Sequence, residues 1–301
     1  MPPTEPATPR SVVRPPFRVA LAQIEPKLGD LNANVKLHLE QIEIARSQNA
    51  DLVVFPELSL TGYYLRDHVV EVSEPAGGAK TAAIVAASAE SAIVFGFVEE
   101  STDHRFYNSA AFADRGAIVA VHRKAYLPTY GMFDEQRYFA AGDRVRGFDT
   151  RFGRIGLLIC EDAWHLSCGL ILMADRVDVL IVVANSPGRG VEGAELGSKL
   201  SWDMLTRTLA QFLGVAVVFV NRTGYEDGVY FWGGSRVIDA TGTIVAEASE
   251  GSAEVVIATV DPRDARRQRI LAPLARDERI DLTIAELSRA RDRLLKEDRH
   301  V

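Results

Sequence analysis

Short runs of β-branched and other apolar residues alternate along the chain with stretches whose apolar positions recur every three or four residues. The runs at 17–24, 52–55, 92–98, 109–113, 118–122, 155–159, 179–184, 215–220, 235–239 and 255–260 predict strands. Several, 179–184 among them, are apolar almost throughout, the pattern of strands covered on both faces. Between the runs, Val35, Leu39, Ile42 and Ala45 make one stripe of a helix that Asn32 or Asn34 is placed to cap. Residues 80–90, 198–213 and 282–295 predict three further helices, the last with Leu287, Ala290 and Leu294 on one side. Hairpin signals fall at 114–116 and 241–242. No short-period repeat or internal linker interrupts the alternation, so 17–301 is expected to form a single α/β domain that includes the C-terminal helical tail.

Composition narrows the class. With 301 residues the chain can bury a substantial core, and 47% hydrophobic and 25% charged residues are ordinary for a globular protein. A net charge of -7 argues against a nucleic-acid or anionic-membrane surface. Arg263, Arg266, Arg267 and Arg269 cluster, but interspersed acids make them a solvated helix face. Cys160 and Cys168 are a weak disulfide pair and no motif has zinc-ligand spacing, which fits a cytoplasmic protein with neither metal nor cofactor. Residues 1–16 are rich in Pro and Thr and are expected to be a disordered arm, and no apolar run reaches membrane-spanning length.

Three polar residues stand where apolar runs end. In "DLVVFPELSLTGYY" Glu57 follows Pro56, in "VHRKAYLPTYGMFDEQRYF" a run ends at Lys124, and in "RIGLLICEDAWH" another delivers Cys160. Strand ends in α/β proteins border crevices. Each residue alone has a plainer reading: a capping or solvated Glu, an exposed Lys, a core Cys. Cys160 is also flanked by Glu161 and Asp162, and carboxylates disfavour the thiolate. It is therefore either inert or activated from elsewhere. Together the three supply a base, a cation and a nucleophile.

These segments resemble the nitrilase superfamily of carbon–nitrogen hydrolases, whose catalytic set is Glu, Lys and Cys in that order. The resemblance runs from about Phe17 to the C-terminal helix. It rests on "FPELSLTGY", "HRKAYLPTYGMFDEQRYF" and "CEDAW", followed by "NSP" at 185–187, "NRTG" at 221–224 and "FWGGSRVID" at 231–239. It implies a four-layer αββα sandwich, paired through outer helices into a homodimer or higher homo-oligomer. Periodicity alone fits an open doubly wound sheet equally well.

Cleaving an amide or nitrile needs a nucleophile, a proton carrier and charge stabilisation. By resemblance, Cys160 forms a thioester, Glu57 is the general base, and Lys124 with the backbone N–H of Glu161 stabilises the oxyanion. Glu135 matches a further family carboxylate that orients Lys124; a salt bridge to Arg137 is its plainer role. No Gly-x-Ser-x-Gly elbow is present. A cysteine–histidine pairing through His122 or His165 is the mechanistic rival.

Departures between subfamilies bear on the substrate, a small amide or nitrile. Trp164 stands where carbamoyl-amino-acid hydrolases carry Arg, and Glu161 stands where nitrilases carry Trp. "CED-x-W", "YGMFDEQRYF" and the tail "LAPLARDERIDLTIAELSRARDRL" look most like the glutaminase domain of glutamine-dependent NAD synthetases. No synthetase domain or Gly-rich phosphate loop follows, which points to a stand-alone amidase, with ammonia supply to a partner protein as an alternative. Tyr63, Tyr64, Tyr130, Trp164, Asn185, Ser186, Phe231 and Trp232 are expected to build the pocket, and Arg189 or Arg222 to enter it if the substrate bears a carboxylate. A non-catalytic scaffold is the reading from another class, and retention of all three catalytic-type residues argues against it.

Overall fold

The ten predicted runs form strands, and their placement explains why so many are apolar throughout. The computed structural model describes residues 14–192 and 195–297. Of the expected N-terminal arm, 1–13 lie outside the described residues and 14–16 form no regular element. One six-stranded sheet has the order β16 (Glu254–Val260), β1 (Phe17–Gln23), β2 (Leu52–Val54), β3 (Ala92–Glu100), β4 (Phe106–Asp114), β5 (Ala117–Arg123). The other runs β15 (Ile244–Glu247), β14 (Arg236–Ile238), β11 (Ala216–Asn221), β8 (Val179–Ala184), β7 (Gly153–Ile159), β6 (Phe148–Thr150). In each sheet three central strands are parallel, β1–β2–β3 and β7–β8–β11, and the outer ones are antiparallel.

The sheets pack face to face. Val19, Leu21, Val54 and Val94 from the first meet Ile155, Leu157, Ile181 and Val218 from the second. Alternate residues of the same strands point outward. Ala20, Val53 and Ile93 lie under Ile42 of α1 (Leu31–Ser47) and Ile84 of α3 (Ala79–Ala87), near the short α2 (Val69–Val72). Leu158, Leu180 and Val217 lie under Leu172 of α4 (Leu166–Ala174), Leu209 of α5 (Gly197–Leu213) and Ala265 of α6 (Pro262–Leu271). The result is the four-layer αββα sandwich, in which each fully buried Val or Ile contributes about 1.5–3 kcal/mol. The chain ends in α7 (Leu274–Asp277) and α8 (Ile280–Glu297), whose Leu282, Leu287 and Leu294 are exposed.

Several details depart from the sequence expectations. Asp30, not Asn32 or Asn34, caps α1 by accepting from the Ala33 N–H at 3.0 Å. Asn34 lies a turn inside and is fully buried, its amide held by Lys27 and the Leu60 carbonyl. Helix α4 has no polar stripe to betray it, because its sequence "LSCGLILMA" is apolar nearly all round. Strands β6 and β15 and the two hairpins, β9 (Val191–Glu192) with β10 (Glu195–Leu196) and β12 (Thr223–Glu226) with β13 (Val229–Trp232), have at most four residues each. Such short segments carry too little pattern to read.

Candidate functional site

Glu57, Lys124 and Cys160 leave their strands at one end of the sandwich. Strand β2 stops at Val54 and Pro56, which has no N–H to donate, ends its ladder. The loop then crosses so close to β3 that a Cβ at Gly96 would lie 2.3 Å from the Leu58 nitrogen. Only glycine fits there. Glu57 is 1% exposed. Its Oε1 accepts from Lys124 Nζ and from Asn108 Nδ2, each at 2.7 Å, and its Oε2 from the Asn185 N–H at 2.7 Å.

Lys124 immediately follows β5 and is equally buried. Its Nζ also donates to Glu135 Oε1 at 2.6 Å, an oxygen that accepts the Tyr63 hydroxyl at 2.6 Å as well. Burial opposes the charge on Lys124, but Glu135 and Glu57 outweigh it and hold the ammonium well above its ordinary pKa. Glu135 is pushed up to about 7, by burial and by Glu57, against the pull of Lys124. Its ion-pair partner among the described residues is Lys124 and not Arg137, whose guanidinium lies 5.6 Å from the Tyr138 ring.

Cys160 sits at the turn from β7 into a 3₁₀ segment, Cys160–Trp164, with φ at +44°. A non-glycine residue pays on the order of 1–2 kcal/mol for that left-handed backbone, a cost found where a side chain must be aimed. Burial pushes its thiol well above the usual range; Glu57 adds to the rise, Lys124 opposes it, and Glu135 and Glu161 contribute further. The charges of Glu57 and Lys124 thus both act on the sulfur. Of the flanking acids, Glu161 accepts the Tyr130 hydroxyl at 3.0 Å, and Asp162 is bound entirely by donors of its own. Neither histidine is hydrogen-bonded to Cys160 among the described residues. His122 Nε2 lies 2.8 Å from Asp162 Oδ2, and His165 stacks on Tyr126 with ring centroids 3.5 Å apart. Cys160 and Cys168 are both free thiols.

Comparison with known proteins adds the family. Residues 18–270 match the family model described as carbon-nitrogen hydrolase. The chain belongs to the carbon–nitrogen hydrolases of the nitrilase superfamily. It is 32% identical over 271 residues to a glutamine-dependent NAD(+) synthetase of Acinetobacter baylyi, covering 90% of this chain and 48% of that one. The hydrolase therefore spans about half the length of the curated relatives it matches first. A solved glutamine-dependent NAD+ synthetase from Acinetobacter baumannii superposes with a TM-score of 0.74 at 34% identity, over 83% of this chain and 46% of that one. A carbon-nitrogen hydrolase from Helicobacter pylori superposes with a TM-score of 0.78 at 22% identity, over 90% and 98%, and shares the fold. Like its family, this chain is a hydrolase acting on carbon–nitrogen bonds.

The eight residues expected to line a pocket divide into four groups. Tyr63 and Asn185 reach the charged set itself, Tyr63 through its hydroxyl and Asn185 through its N–H. Tyr130 and Trp164 are 53% and 41% exposed, at the rim, with Trp164 edge-on to Trp202. Tyr64 is half-buried. Ser186, Phe231 and Trp232 stand behind the surface: Trp232 Nε1 donates to Ser186 Oγ at 3.2 Å, and Phe231 lies under the Arg222 guanidinium at 4.4 Å. Arg222 does not enter the site, because it is fully buried and paired with Glu226. Arg189 is exposed over the Phe133 ring. A cleft of about 700 Å³ opens beside Glu161, lined also by Tyr126, Leu127, Tyr130, Phe139 and His165.

Residues not singled out from the sequence also belong to this cluster. Asn108 shares its face of β4 with Phe106, Ala110 and Phe112, and a polar residue on that face is the one signal that marks it. Glu226 accepts the N–H groups of Tyr63 and Tyr64 at 2.8 and 2.7 Å and so holds the loop after Glu57. Buried Glu135 Oε2, Asn108 Oδ1 and both polar atoms of the Asn185 carboxamide have no hydrogen-bond partner among the described residues. Among those residues no group of three or more His, Cys, Asp or Glu is arranged to hold a metal, and no helix is long and apolar enough to cross a membrane.

Proposed function

We propose that this hydrolase is an amidase that releases ammonia from a primary amide through a thioester on Cys160. The observation that carries the reading is the left-handed turn at Cys160, set where Glu57 and Lys124 both act on its sulfur. As sulfur attacks the amide carbon, the thiol proton passes to Glu57 and the carbonyl oxygen becomes an anion. The Lys124 ammonium and the Glu161 N–H stabilise that anion; the latter, in the first turn of its 3₁₀ segment, has no intrahelical acceptor. Collapse of the intermediate breaks the C–N bond, and Glu57 hands its proton to the departing nitrogen. Water then attacks the thioester with Glu57 as base, releasing acid and restoring the thiol. Glu135 holds Lys124 and leaves its free oxygen for the substrate amide.

The reading extends to the substrate and assembly. The acid Glu161 faces a cleft whose lining includes no Lys or Arg, which suits a neutral or ammonium-bearing amide such as a glutamine-like side chain. Tyr63, Tyr64, Tyr130, Trp164 and Asn185 position it, with Ser186, Phe231 and Trp232 as backing. Residues 17–301 act as one domain, in a cytoplasmic homodimer or higher homo-oligomer. The likeness to half of a glutamine-dependent synthetase favours a second reading, in which the ammonia is passed to a partner protein.

Ammonia release over glutamine, asparagine, other ω-amides, aliphatic amides and nitriles tests the proposal. The wild type is expected to turn over a primary amide at least tenfold faster than the matching nitrile. Cys160→Ala is expected to abolish turnover, and an intact-mass shift on Cys160 to mark the acyl-enzyme. Full turnover in Cys160→Ala, or preference for the nitrile, overturns it.

A further inference from the structure

Two buried carboxylates lie just outside the charged set, Asp162 and Glu226, and each accepts two consecutive backbone N–H groups. Asp162 bears directly on the geometry between Lys124 and Cys160. It is fully buried. Its Oδ1 accepts from the Ala125 and Tyr126 N–H groups at 2.9 and 3.0 Å. Its Oδ2 accepts from the Ile159 N–H at 3.1 Å and lies 2.8 Å from His122 Nε2. Ile159 immediately precedes Cys160, Ala125 immediately follows Lys124, and His122 stands two residues before it.

The placement matters because Lys124 and Cys160 belong to different sheets. Lys124 follows β5 of the first, Cys160 follows β7 of the second, and most of what joins these sheets is apolar contact. Apolar contact is non-directional and fixes no register to a fraction of an ångström. Hydrogen bonds do, and a charged acceptor makes the stronger ones. Asp162 ties the backbone on the C-terminal side of Lys124 to the backbone on the N-terminal side of Cys160 with one rigid, four-atom side chain.

We propose that Asp162, held by His122, is a positioning residue that sets Lys124 in register with Cys160 and thereby sets the reactivity of the thiol. The inference rests on Cys160 being the nucleophile. The charged and titratable groups acting on that thiol come from four other segments and its own: Glu57, Lys124, Glu135, Tyr63, Tyr130 and Glu161. Lys124 alone among them favours the thiolate, so a displaced Lys124 has a defined consequence. Around Asp162 itself stand His122 and the Cys168 thiol.

The test is alkylation of Cys160 by iodoacetamide in the full chain, followed by mass from pH 6 to 10, alongside turnover of the amide found by the screen above. In Asp162→Asn an amide N–H₂ replaces one of the accepting oxygens, and the link between the Cys160 turn and the Lys124 segment is broken. The expected result is an alkylation rate at pH 7.5 at least tenfold below wild type, a rate–pH profile displaced to higher pH, and kcat lowered by a similar factor with KM changed less than threefold. His122→Leu is expected to move the profile the same way, and His122→Gln, which keeps a donor, to stay within threefold of wild type. In a Lys124→Ala background, Asp162→Asn is expected to change the alkylation rate less than twofold, since it acts through Lys124. If Asp162→Asn does not fold, the His122 pair alone decides. Wild-type profiles in Asp162→Asn and His122→Leu overturn the inference, as does an equal loss in the Lys124→Ala background. Full turnover of the same amide in Cys160→Ala overturns instead the nucleophile reading beneath it.

Discussion

Individual residues at the site are understood best through the donors that surround them. Glu57 collects three hydrogen bonds, from a lysine, an asparagine and a backbone N–H, which fix the orientation of its carboxylate. Glu57→Gln keeps the shape and removes the proton acceptor, so kcat is expected to fall by about 10²–10⁴ with little change in KM, measured by ammonia release. Glu135 offers a test by pH. Its value in the fold, about 7, lies above the ordinary 4.5. The folded state therefore binds more protons than the unfolded one between those values. Its contribution to stability is complete at acid pH and is lost as pH rises toward 7. Urea unfolding at pH 4.5 and pH 8 should show the advantage of wild type over Glu135→Gln to be larger at pH 4.5 than at pH 8. The Glu57, Lys124 and Cys160 positions were legible because each is a lone reactive side chain at the end of an apolar run. Asp162 was not, since nothing in "CED" says which acid binds four donors and which faces a cleft.

At the scale of elements, the long strands were legible and the short ones were not. Strand β8 alternates residues between the inter-sheet layer and the helix layer, and both layers are apolar, so six consecutive apolar residues mark it plainly. Ile181→Ala empties a site between the sheets and is expected to cost about 2–5 kcal/mol in urea unfolding. Gly96 on β3 answers to the Glu57 loop, which passes against it. Gly96→Ala must push that loop aside, and turnover is expected to fall more than tenfold at temperatures where circular dichroism still reports a folded protein. The cap of α1 was misassigned by sequence because Asp30, Asn32 and Asn34 all suit a helix start; the backbone of Ala33 and the burial of Asn34 decided among them.

Across the whole molecule, the proposed catalytic set comes together only because two sheets are held in register. Glu57, Lys124 and Glu135 come with the first sheet, and Cys160 and Asn185 with the second. The Arg222–Glu226 pair makes another tie between halves, joining the segment after β11 to the Tyr63–Tyr64 loop. Glu226→Gln leaves a buried guanidinium without its counter-charge and is expected to destabilise the protein by about 3–5 kcal/mol, read by chemical unfolding. Sedimentation is expected to find a mass that is a multiple of the 33.0 kDa chain, as befits the proposed homo-oligomer.

By itself the sequence determined which residue types stand at strand ends, which runs are buried on both faces, and, through six motifs in order, the family. Those are local properties, written in apolar periodicity and in short strings around Glu57, Lys124 and Cys160. Only the tertiary structure decided which strands neighbour one another, that Lys124 is bound by two carboxylates, that Arg222 is locked away from the site, and that Asp162 bridges the lysine and the cysteine. Strand β1 pairs with β16 across as many as 243 positions, Lys124 lies 67 and 11 positions from its two carboxylates, Asp162 reaches 37 positions back to Ala125, and Arg222 and Glu226 are a local pair packed beneath remote chain. Such pairings follow from how two apolar sheet faces settle together, and no local pattern of the chain encodes them.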